Sequence, residues 1–222
     1  MTLHAALAMT LHKSGCGNDI VVGTALAGRQ DLALQQMVGF FVNTLALRSQ
    51  IDPDLPLSDL LDRVRDADLA AFDNQDLPFE QIVDRLCRDR SLATNPLFQV
   101  FLVLQNASSS AFSLPGLTVE PLDTGLNVAK FDLTLDLAEI SDATGAAHGI
   151  EGVLQYDADL YEPGTAQRFA DRFRHMLEAL AHHNDRKLRR IAALDETQTA
   201  LLESFAKGAP VAPELQGLDF FS

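Results

Sequence analysis

The sequence predicts a layered α/β fold, in which helices flank a mixed β-sheet. Segments with helical and with strand periodicity alternate along the 222 residues. Two neighbouring strand segments, residues 131–137 and 150–156, are separated by a flexible turn and favour a hairpin. Alternating helices and strands favour parallel pairing, whereas a hairpin is antiparallel, so we expect strands of both directions in one sheet.

Simple periodicity predicts the first elements. Residues 2–13 place Leu3, Ala6, Leu7, Thr10 and Leu11 on one helical face, which indicates a helix that packs against the core. Because this helix starts almost at the first residue, we expect the chain to be cut from something larger. Glycines within residues 14–18 predict a turn, residues 20–25 a short buried strand, and residues 30–38 a loop or short helix.

The stretch GFFVNTLALR, residues 39–48, predicts a strand buried on both faces. The polar residues Asn43 and Thr44 interrupt its apolar run, and a buried polar side chain is costly unless it finds hydrogen-bond partners. One interpretation is a bulge or strand end at which Asn43 ties down neighbouring backbone. The other is a polar group placed at a functional seam.

Two helices are predicted in the middle of the chain. The first starts with Ser58 as its N-cap, and its apolar residues recur at helical spacing: Leu57, Leu60, Leu61, Val64 and Ala71. Gln75 and Asp76 interrupt this helix, and Pro78 suits the first turn of the next one. We expect the second helix to bury Phe79, Ile82, Val83 and Leu86.

Strands dominate the next part of the sequence. Residues 100–104 form an almost continuous apolar run, which favours a central strand, and residues 117–122 are a candidate edge strand closed by Pro121. Residues 131–137 alternate between apolar and polar side chains, as in a half-exposed strand. Its polar face carries Asp132 and Asp136, which we interpret as a solvated face in preference to a carboxylate pair.

The C-terminal part predicts two helices and a tail. Residues 165–183 place six side chains inward, namely Ala166, Phe169, Ala170, Phe173, Leu177 and Leu180. Asp195 and Gln198 resemble a capping box that starts a last helix through Phe205. The residues after Gly208 are rich in proline and glycine, so we expect a globular unit over residues 1–206 and a linker over residues 207–222.

Composition excludes several classes of protein. The net charge of −14 argues against binding to nucleic acid or to an anionic membrane surface. The two cysteines, Cys16 and Cys87, belong to no metal-ligand cluster, so we expect no zinc site. No apolar run approaches the roughly 18 residues that span a bilayer, and no signal peptide is evident, which favours the cytoplasm.

Catalytic motifs of the common enzyme classes are missing from the sequence. Gly23 and Gly28 do not form a phosphate loop, and GxSxG, HExxH and Walker patterns do not occur. The histidine pair His182-His183 is followed by NDRKL, so we interpret it as the end of a helix, where cations suit the helix dipole.

Four stretches, in the same order, resemble motifs of the condensation domains of nonribosomal peptide synthetases. They are DIVVGTALAGR at residues 19–29, GFFVNTLALR at 39–48, NQDLPFE at 74–80, and RDRSLATNPL at 88–97, which contains one extra residue. KFDLTL at residues 130–135 and the stretch 154–161 are also similar to that family. The resemblance runs from about Leu3 to about Ala206.

This resemblance implies a fold of two lobes, each like chloramphenicol acetyltransferase, with the catalytic HHxxxDG motif in the first lobe. The chain lacks that motif and resembles the C-terminal lobe only, so it holds no catalytic residue of its own. The implied reaction joins two substrates by an amide bond, both carried on the phosphopantetheine of carrier proteins, and the lobe itself would bind no cofactor. The implied partners are the N-terminal lobe, peptidyl carrier proteins and an adjacent adenylation domain, and a lone lobe is expected to self-associate.

The resemblance also assigns site residues. It implies that Arg29 pairs with the aspartate of the first lobe's motif; the alternative is a surface arginine at a strand end. It places Asn43 and Thr44 near the junction of the lobes, where the alternative for Asn43 is a purely structural role. Asn74, Gln75, Asp76 and Pro78 are expected to organise a helix junction, with Asp76 close enough to cap the second helix.

Two functions remain open on this basis. The chain is either one lobe of an amide-forming condensation enzyme, or a non-catalytic platform that binds neighbouring proteins of a synthetase. An independent acyltransferase is disfavoured, because the sequence contains no constellation of nucleophile and base.

Overall fold

The structure, a computed structural model, describes residues 1–29, 31–34, 36–87, 95–105, 116–117, 122, 128–141, 146–194 and 196–206. Five helices are described: α1 Thr2–Lys13, α2 Leu57–Asp73, α3 Phe79–Leu86, α4 Pro163–His182 and α5 Glu196–Ala206. The described strands are β1 Asp19–Leu26, β2 Asn43–Gln50, β3 Val100–Gln105, β4 Leu133–Ser141 and β5 Ala147–Tyr156. Short 3-10 turns cover Leu32–Leu34 and Leu188–Arg190.

The described strands form one mixed sheet in the order β2-β1-β3-β4-β5. β1 pairs in parallel with β3, and β3 in parallel with β4, whereas β1–β2 and β4–β5 are antiparallel. The predicted mixed α/β fold, the central position of the strand at residues 100–104 and the late hairpin are therefore confirmed.

Strand register divides the side chains between two faces of the sheet. One row across all strands, on what we call the covered face, consists of Leu47, Val22, Val100, Leu133 and Tyr156. The next row lies on the other side, which we call the open face, and consists of Ala46, Gly23, Phe101, Thr134 and Gln155.

Helices α1, α2 and α4 pack on the covered face and enclose the core. The whole stretch from Leu3 to Leu11 is buried, although periodicity predicted only one buried face for α1. The difference arises because α1 lies between α2, α4 and strand β1, so water reaches no side of its middle turns. Four of the six residues predicted to face inward on α4 are buried, namely Ala166, Phe169, Phe173 and Leu180, whereas Ala170 and Leu177 are half-buried. Met176 and Ala179 are also buried, although the pattern did not predict them.

The open face carries a cluster of aromatic rings. Phe98 contacts Phe79, Phe101 and Phe131 at centroid distances of 5.6, 5.9 and 5.5 Å. Gly23 lies beneath this cluster, since a Cβ at that position would stand 2.3 Å from the ring of Phe98. The absence of a side chain at Gly23 therefore lets the aromatic rings pack directly on the sheet.

Several local predictions were wrong. Strand β2 begins at Asn43 rather than near Gly39, and Phe40 and Val42 are exposed. β2 lies at an edge of the described sheet and buries alternate residues, so it is not a strand buried on both faces. Helix α2 begins one residue before Ser58, and its first free N–H groups are accepted by carbonyl oxygens of residues 184 and 186, not by a serine side chain.

Helix α3 is more exposed than its sequence pattern suggests. Only Val83 among its predicted inward residues is buried, and Leu86 is 67% exposed. Three predictions fall outside the described residues. Asp195 and the tail at 207–222 lie wholly outside them, and the candidate edge strand at 117–122 is described only at its two end residues. The last helix is confirmed as α5.

Candidate functional site

Asn43 stands at the first position of β2 and uses its whole side-chain amide within the chain. Its Nδ2 group donates to the carbonyl oxygens of Gln75 at 2.9 Å and Leu77 at 3.0 Å. Its Oδ1 atom accepts the N–H groups of Thr44 at 2.9 Å and Phe79 at 3.3 Å. An asparagine amide offers two donors and two acceptor sites, so Asn43 is fully occupied in holding the backbone around it.

The turn that Asn43 holds leads the chain from one face of the sheet to the other. Helix α2 packs on the covered face, whereas Phe79, the first residue of α3, joins the aromatic cluster on the open face. Asn74 and Gln75 close the end of α2 through their side-chain amides, which donate to the carbonyl oxygens of Ala70 and Phe72. Residues 74–78 thus connect the end of α2 to the start of α3.

The predicted cap of α3 is supplied by another residue. Asp76 is exposed, and the N–H of Phe79 bonds to the Oδ1 of Asn43. The prediction that Asp76 caps this helix is therefore wrong. Thr44 is half-buried, pairs with Ala25 of β1, and has its N–H accepted by the neighbouring Asn43 side chain.

Arg29 is half-buried and is held by backbone carbonyls and by an aromatic ring. Its Nη1 group donates to the carbonyl oxygens of Leu34 and Met37, and its guanidinium lies 4.4 Å from the centroid of Phe41. Within the described part of the chain, no carboxylate lies within ion-pair distance of this guanidinium. Its positive charge is therefore solvated by dipoles and not neutralised.

A glycine makes this arrangement of Arg29 and Phe41 feasible. Gly28 has a positive φ of 62°, and a Cβ there would stand 1.9 Å from the carbonyl oxygen of Phe41. Any side chain at position 28 would force the two segments apart, so the close approach requires glycine.

Exposed apolar side chains surround Arg29. We call the described residues 32–34 and 36–42 the apolar loop; its exposed large apolar side chains are those of Leu32, Met37, Val38, Phe40 and Val42. Val38 and Phe40 are almost completely exposed. Apolar patches of this kind on a soluble protein commonly mark an interaction surface.

One polar pair was missed by the sequence analysis. His4 Nδ1 lies 2.8 Å from Asp68 Oδ1, and both side chains are only 2% exposed. The pair joins α1 to α2 across 64 positions of sequence, and the buried Nε2 atom of His4 has no hydrogen-bond partner among the described residues. Asp68 follows Leu57, Leu60 and Val64 at helical spacing, so its place in the apolar stripe was a signal that could have found it.

The two aspartates at the fourth strand have different surroundings. Asp136 lies on the open face, and one of its carboxylate oxygens accepts from Gln105 Nε2 at 3.3 Å. Asp132 precedes the strand and lies near Tyr161, whose pKa is raised by burial and also by that carboxylate.

The remaining predictions concern metals, histidines and membranes. Cys16 and Cys87 are free thiols, and the described residues contain no cluster of metal-binding side chains. His182 ends α4, as its sequence context suggested. Among the described helices, none is long and apolar enough to cross a bilayer.

Comparison with known proteins finds the same family that the sequence motifs resemble. A family model described as "Condensation domain" matches residues 1–203. The chain is 45% identical, over 85% of its length, to a dimodular nonribosomal peptide synthase of Bacillus subtilis. It is 38% identical, over 94% of its length, to an isonitrile lipopeptide synthase of Mycobacterium tuberculosis. It spans 8% of the length of each relative.

Solved structures of related proteins have the same fold. The X-domain from teicoplanin biosynthesis superposes with a TM-score of 0.80 at 33% identity, covering 87% of this chain and 43% of that one. A four-domain nonribosomal peptide synthetase shares the fold with a TM-score of 0.76 at 22% identity, covering 89% of this chain and 16% of that one. The mixed sheet with flanking helices is therefore a chloramphenicol acetyltransferase-like lobe, and the chain belongs to the condensation domain family of nonribosomal peptide synthetases.

Proposed function

We propose that this chain is the C-terminal lobe of a condensation domain that joins two carrier-bound substrates through an amide bond. In the reaction, an amine nitrogen attacks a thioester carbonyl, the C–N bond forms, the C–S bond breaks, and the amine loses a proton while the thiol leaves. The chain contributes one wall of the site and holds none of the reacting groups. The observation that supports this role best is the half-buried guanidinium of Arg29, which lacks a carboxylate partner among the described residues.

Arg29 is suited to receive a carboxylate from a second lobe. Its Nη1 atom is used by two carbonyl oxygens, so its position is fixed, and its charge remains available. The apolar loop around it would exclude water once covered, which strengthens an ion pair formed there. We therefore assign Arg29 as a positioning residue that orients the HHxxxDG aspartate of the N-terminal lobe.

Asn43 and Thr44 support the same surface indirectly. Asn43 fixes the start of β2 and the α2–α3 turn, and the apolar loop enters β2 at that residue. Its amide has no capacity left for a substrate, so we assign it a structural role at the lobe junction.

The partners follow from this proposal. The N-terminal lobe would cover the apolar loop, peptidyl carrier proteins would bring substrates on phosphopantetheine arms, and an adenylation domain would follow the linker at residues 207–222. The globular unit would then span residues 1–206. We place the protein in the cytoplasm, where the other parts of such a synthetase would work, and assign it no nucleic-acid or membrane partner.

The decisive experiment joins this chain to an N-terminal lobe that carries HHxxxDG and supplies loaded carrier proteins. The joined protein should form amide product, and the chain alone should form none above the uncatalysed level, because general-base catalysis needs a positioned base. Product from the chain alone would contradict the proposal.

A substitution tests the role of Arg29 in the joined protein. Arg29→Ala should lower stability by about 3–5 kcal/mol, the cost of leaving one member of a buried ion pair unpaired, and activity should fall with it. Arg63→Ala, on an exposed position of α2, is the matched control and should change neither. Normal activity and an unchanged melting temperature in Arg29→Ala would show that the ion pair lies elsewhere.

The second candidate function is a non-catalytic binding platform. It is favoured by one observation: a solved complex of the X-domain and OxyB from teicoplanin biosynthesis matches this chain at 33% identity with a TM-score of 0.78. A joined two-lobe protein that binds a partner of the synthetase but makes no amide would support this platform and contradict the amide-forming role.

Self-association tests whether the apolar loop is an interface. If this face is normally covered, the lone lobe should dimerise through it, and the net charge of −14 should oppose dimerisation until salt screens it. Sedimentation across a salt series should therefore show more dimer at higher salt. A monomer at every salt concentration, with no binding of an apolar dye, would mean that the loop is not an interface.

A further inference from the structure

A cleft on the open face, away from Arg29, has the composition of a ligand site. It has a volume of about 620 Å³ and lies over β4 and β5. Its described lining includes the polar residues Thr134, Asp136 and Gln155 and the apolar residues Ala129 and Val153. Small-molecule sites typically have about 300–1,000 Å³ with apolar walls and a few polar groups, and this cleft matches both features.

The sheet register brings the three polar residues together. Thr134 of β4 stands directly opposite Gln155 of β5. The next residue of β4 on the same face is Asp136, and it stands directly opposite Val153. Cross-strand neighbours have Cβ atoms about 5 Å apart, and residues two apart on one strand are about 7 Å apart. The hydroxyl, amide and carboxylate groups can therefore reach one bound atom in the cleft.

These groups have free acceptor capacity. Gln155 Nε2 donates to the carbonyl oxygen of Val128 at 3.1 Å, which leaves its amide oxygen as an acceptor. Asp136 receives only a long contact of 3.3 Å from Gln105, and its other carboxylate oxygen accepts nothing from the described residues. The hydroxyl of Thr134 has no hydrogen-bond partner in the described part of the chain.

We propose that this cleft binds a primary ammonium group carried on an apolar or aminoacyl body. An ammonium has three N–H donors and no acceptor, and the cleft offers three acceptors, one of them negatively charged. A guanidinium fits less well, because its planar fork needs both oxygens of one carboxylate, and one oxygen of Asp136 already accepts from Gln105. A divalent metal ion fits less well, because the cleft offers only one carboxylate among the described lining residues.

This inference goes beyond the proposed function, since it assigns a ligand to a cleft over β4 and β5, whose described lining includes neither Arg29 nor Asn43. The ammonium could come from the basic side chain of a substrate or from a free alkyl amine, and both share the same chemistry. The test therefore uses a probe for each source, together with a neutral probe of the same shape.

The experiment is a titration of the isotope-labelled protein followed by amide chemical shifts. The probes are Nα-acetyl-lysine N-methylamide, n-butylamine and the neutral Nα-acetyl-norleucine N-methylamide. We expect saturable shifts at Thr134, Asp136 and Gln155 with one or both amines and none with the norleucine compound. Binding of the lysine compound alone would identify an aminoacyl source, and equal binding of n-butylamine would identify free amines.

Two variants test the carboxylate. Asp136→Asn should weaken amine binding by about tenfold or more, because it removes a charge-assisted contact. Asp73→Asn removes the same charge from an exposed position of α2, on the covered side of the sheet, and should leave binding unchanged. An otherwise unchanged spectrum of Asp136→Asn checks that the sheet is intact.

The proposal is overturned if no probe gives saturable shifts at these residues. It is also overturned if the norleucine compound binds as well as the amines, or if Asp136→Asn binds them as tightly as the wild type. None of these outcomes depends on amide formation, so the ammonium site and the proposed function can fail separately.

Discussion

The two faces of the sheet differ in how deeply their pairs of ionisable side chains are buried. On the covered face, His4 and Asp68 form a pair that is 2% exposed and links two helices. On the open-face side of β1 and β2, Arg48 and Asp19 form a pair whose side chains are 66% and 47% exposed. The covered pair is fixed inside an aliphatic core, whereas the open pair remains in contact with water.

The two faces also differ in what they contribute to the stability of the fold. The covered face buries aliphatic side chains of three helices and carries most of the hydrophobic stabilisation. The open face and the sheet edge carry the aromatic cluster, the Asn43 junction and the polar cleft over β4 and β5. We therefore expect the largest stability losses from the covered face, intermediate ones from the junction and the aromatic cluster, and the smallest from the exposed pair.

The largest expected effect is at the buried pair. His4→Leu should leave the Asp68 carboxylate buried without its partner and lower the free energy of unfolding by about 3–5 kcal/mol. Urea unfolding measures this loss from the shift in midpoint at constant slope.

A double variant separates pairing from packing at the same place. His4→Leu/Asp68→Leu removes both polar groups and should recover most of the stability, because an apolar pair of similar volume avoids the desolvation of the charge. A single variant His4→Leu as stable as the wild type would mean that the pair adds nothing to the covered face.

The second effect concerns the junction between the faces. Asn43→Asp keeps the acceptor for the N–H of Phe79 but replaces the donor to the carbonyl oxygens of Gln75 and Leu77 with a second oxygen. We expect a loss of about 2–3 kcal/mol, since two carbonyl groups lose their hydrogen bonds. Denaturant unfolding measures it.

The control for this variant is Asn74→Asp, since the exposed side chain of Asn74 donates to a single carbonyl oxygen among the described residues, that of Ala70. It should cost less than about 1 kcal/mol. Equal losses in the two variants would show that Asn43 does not hold the junction.

The third effect tests how tightly the aromatic cluster packs on the open face. Gly23→Ala places a Cβ 2.3 Å from the ring of Phe98, so we expect overpacking to cost about 1–3 kcal/mol, measured by thermal unfolding. Gly164→Ala, in α4, meets only the flexible end of Arg168 at 3.3 Å and should stabilise the protein by up to about 1 kcal/mol. A neutral Gly23→Ala would mean that the cluster is loosely packed.

The smallest effect is at the exposed pair, and it depends on pH. The hydrogen bond from Arg48, with its positive charge, holds the pKa of Asp19 below its usual range. A depressed folded-state pKa means that the pair stabilises the protein above about pH 4 and that this contribution is lost as the pH falls through the folded value. Because both groups are exposed, the gain should be small and screened by salt.

The measurement compares wild type with Asp19→Asn in urea unfolding between about pH 6 and pH 2. The wild type should be slightly more stable near neutral pH, and the difference should shrink at acid pH and at high salt. A difference that persists in about 1 M salt would contradict the view that the open side of the sheet contributes little through charge.

Local patterns in the sequence determined most of the elements. The apolar spacing of α1, α2 and α4 gave their positions within a few residues, and the alternation around Leu133 and Leu135 identified β4. These predictions succeeded because helical and strand periodicity reports which side of an element is buried. The motifs likewise identified the family, since they are short runs of contiguous residues.

Tertiary structure decided the features that join distant parts of the chain. The sequence placed Asn43 in the middle of a buried strand, but its amide caps a helix 36 positions later. His4 and Asp68 meet across 64 positions, and Arg29 lies over Phe41 because Gly28 permits close approach. Each contact depends on which elements pack together and in what register. The packing is set by burial of the whole core, and a local sequence pattern does not encode it.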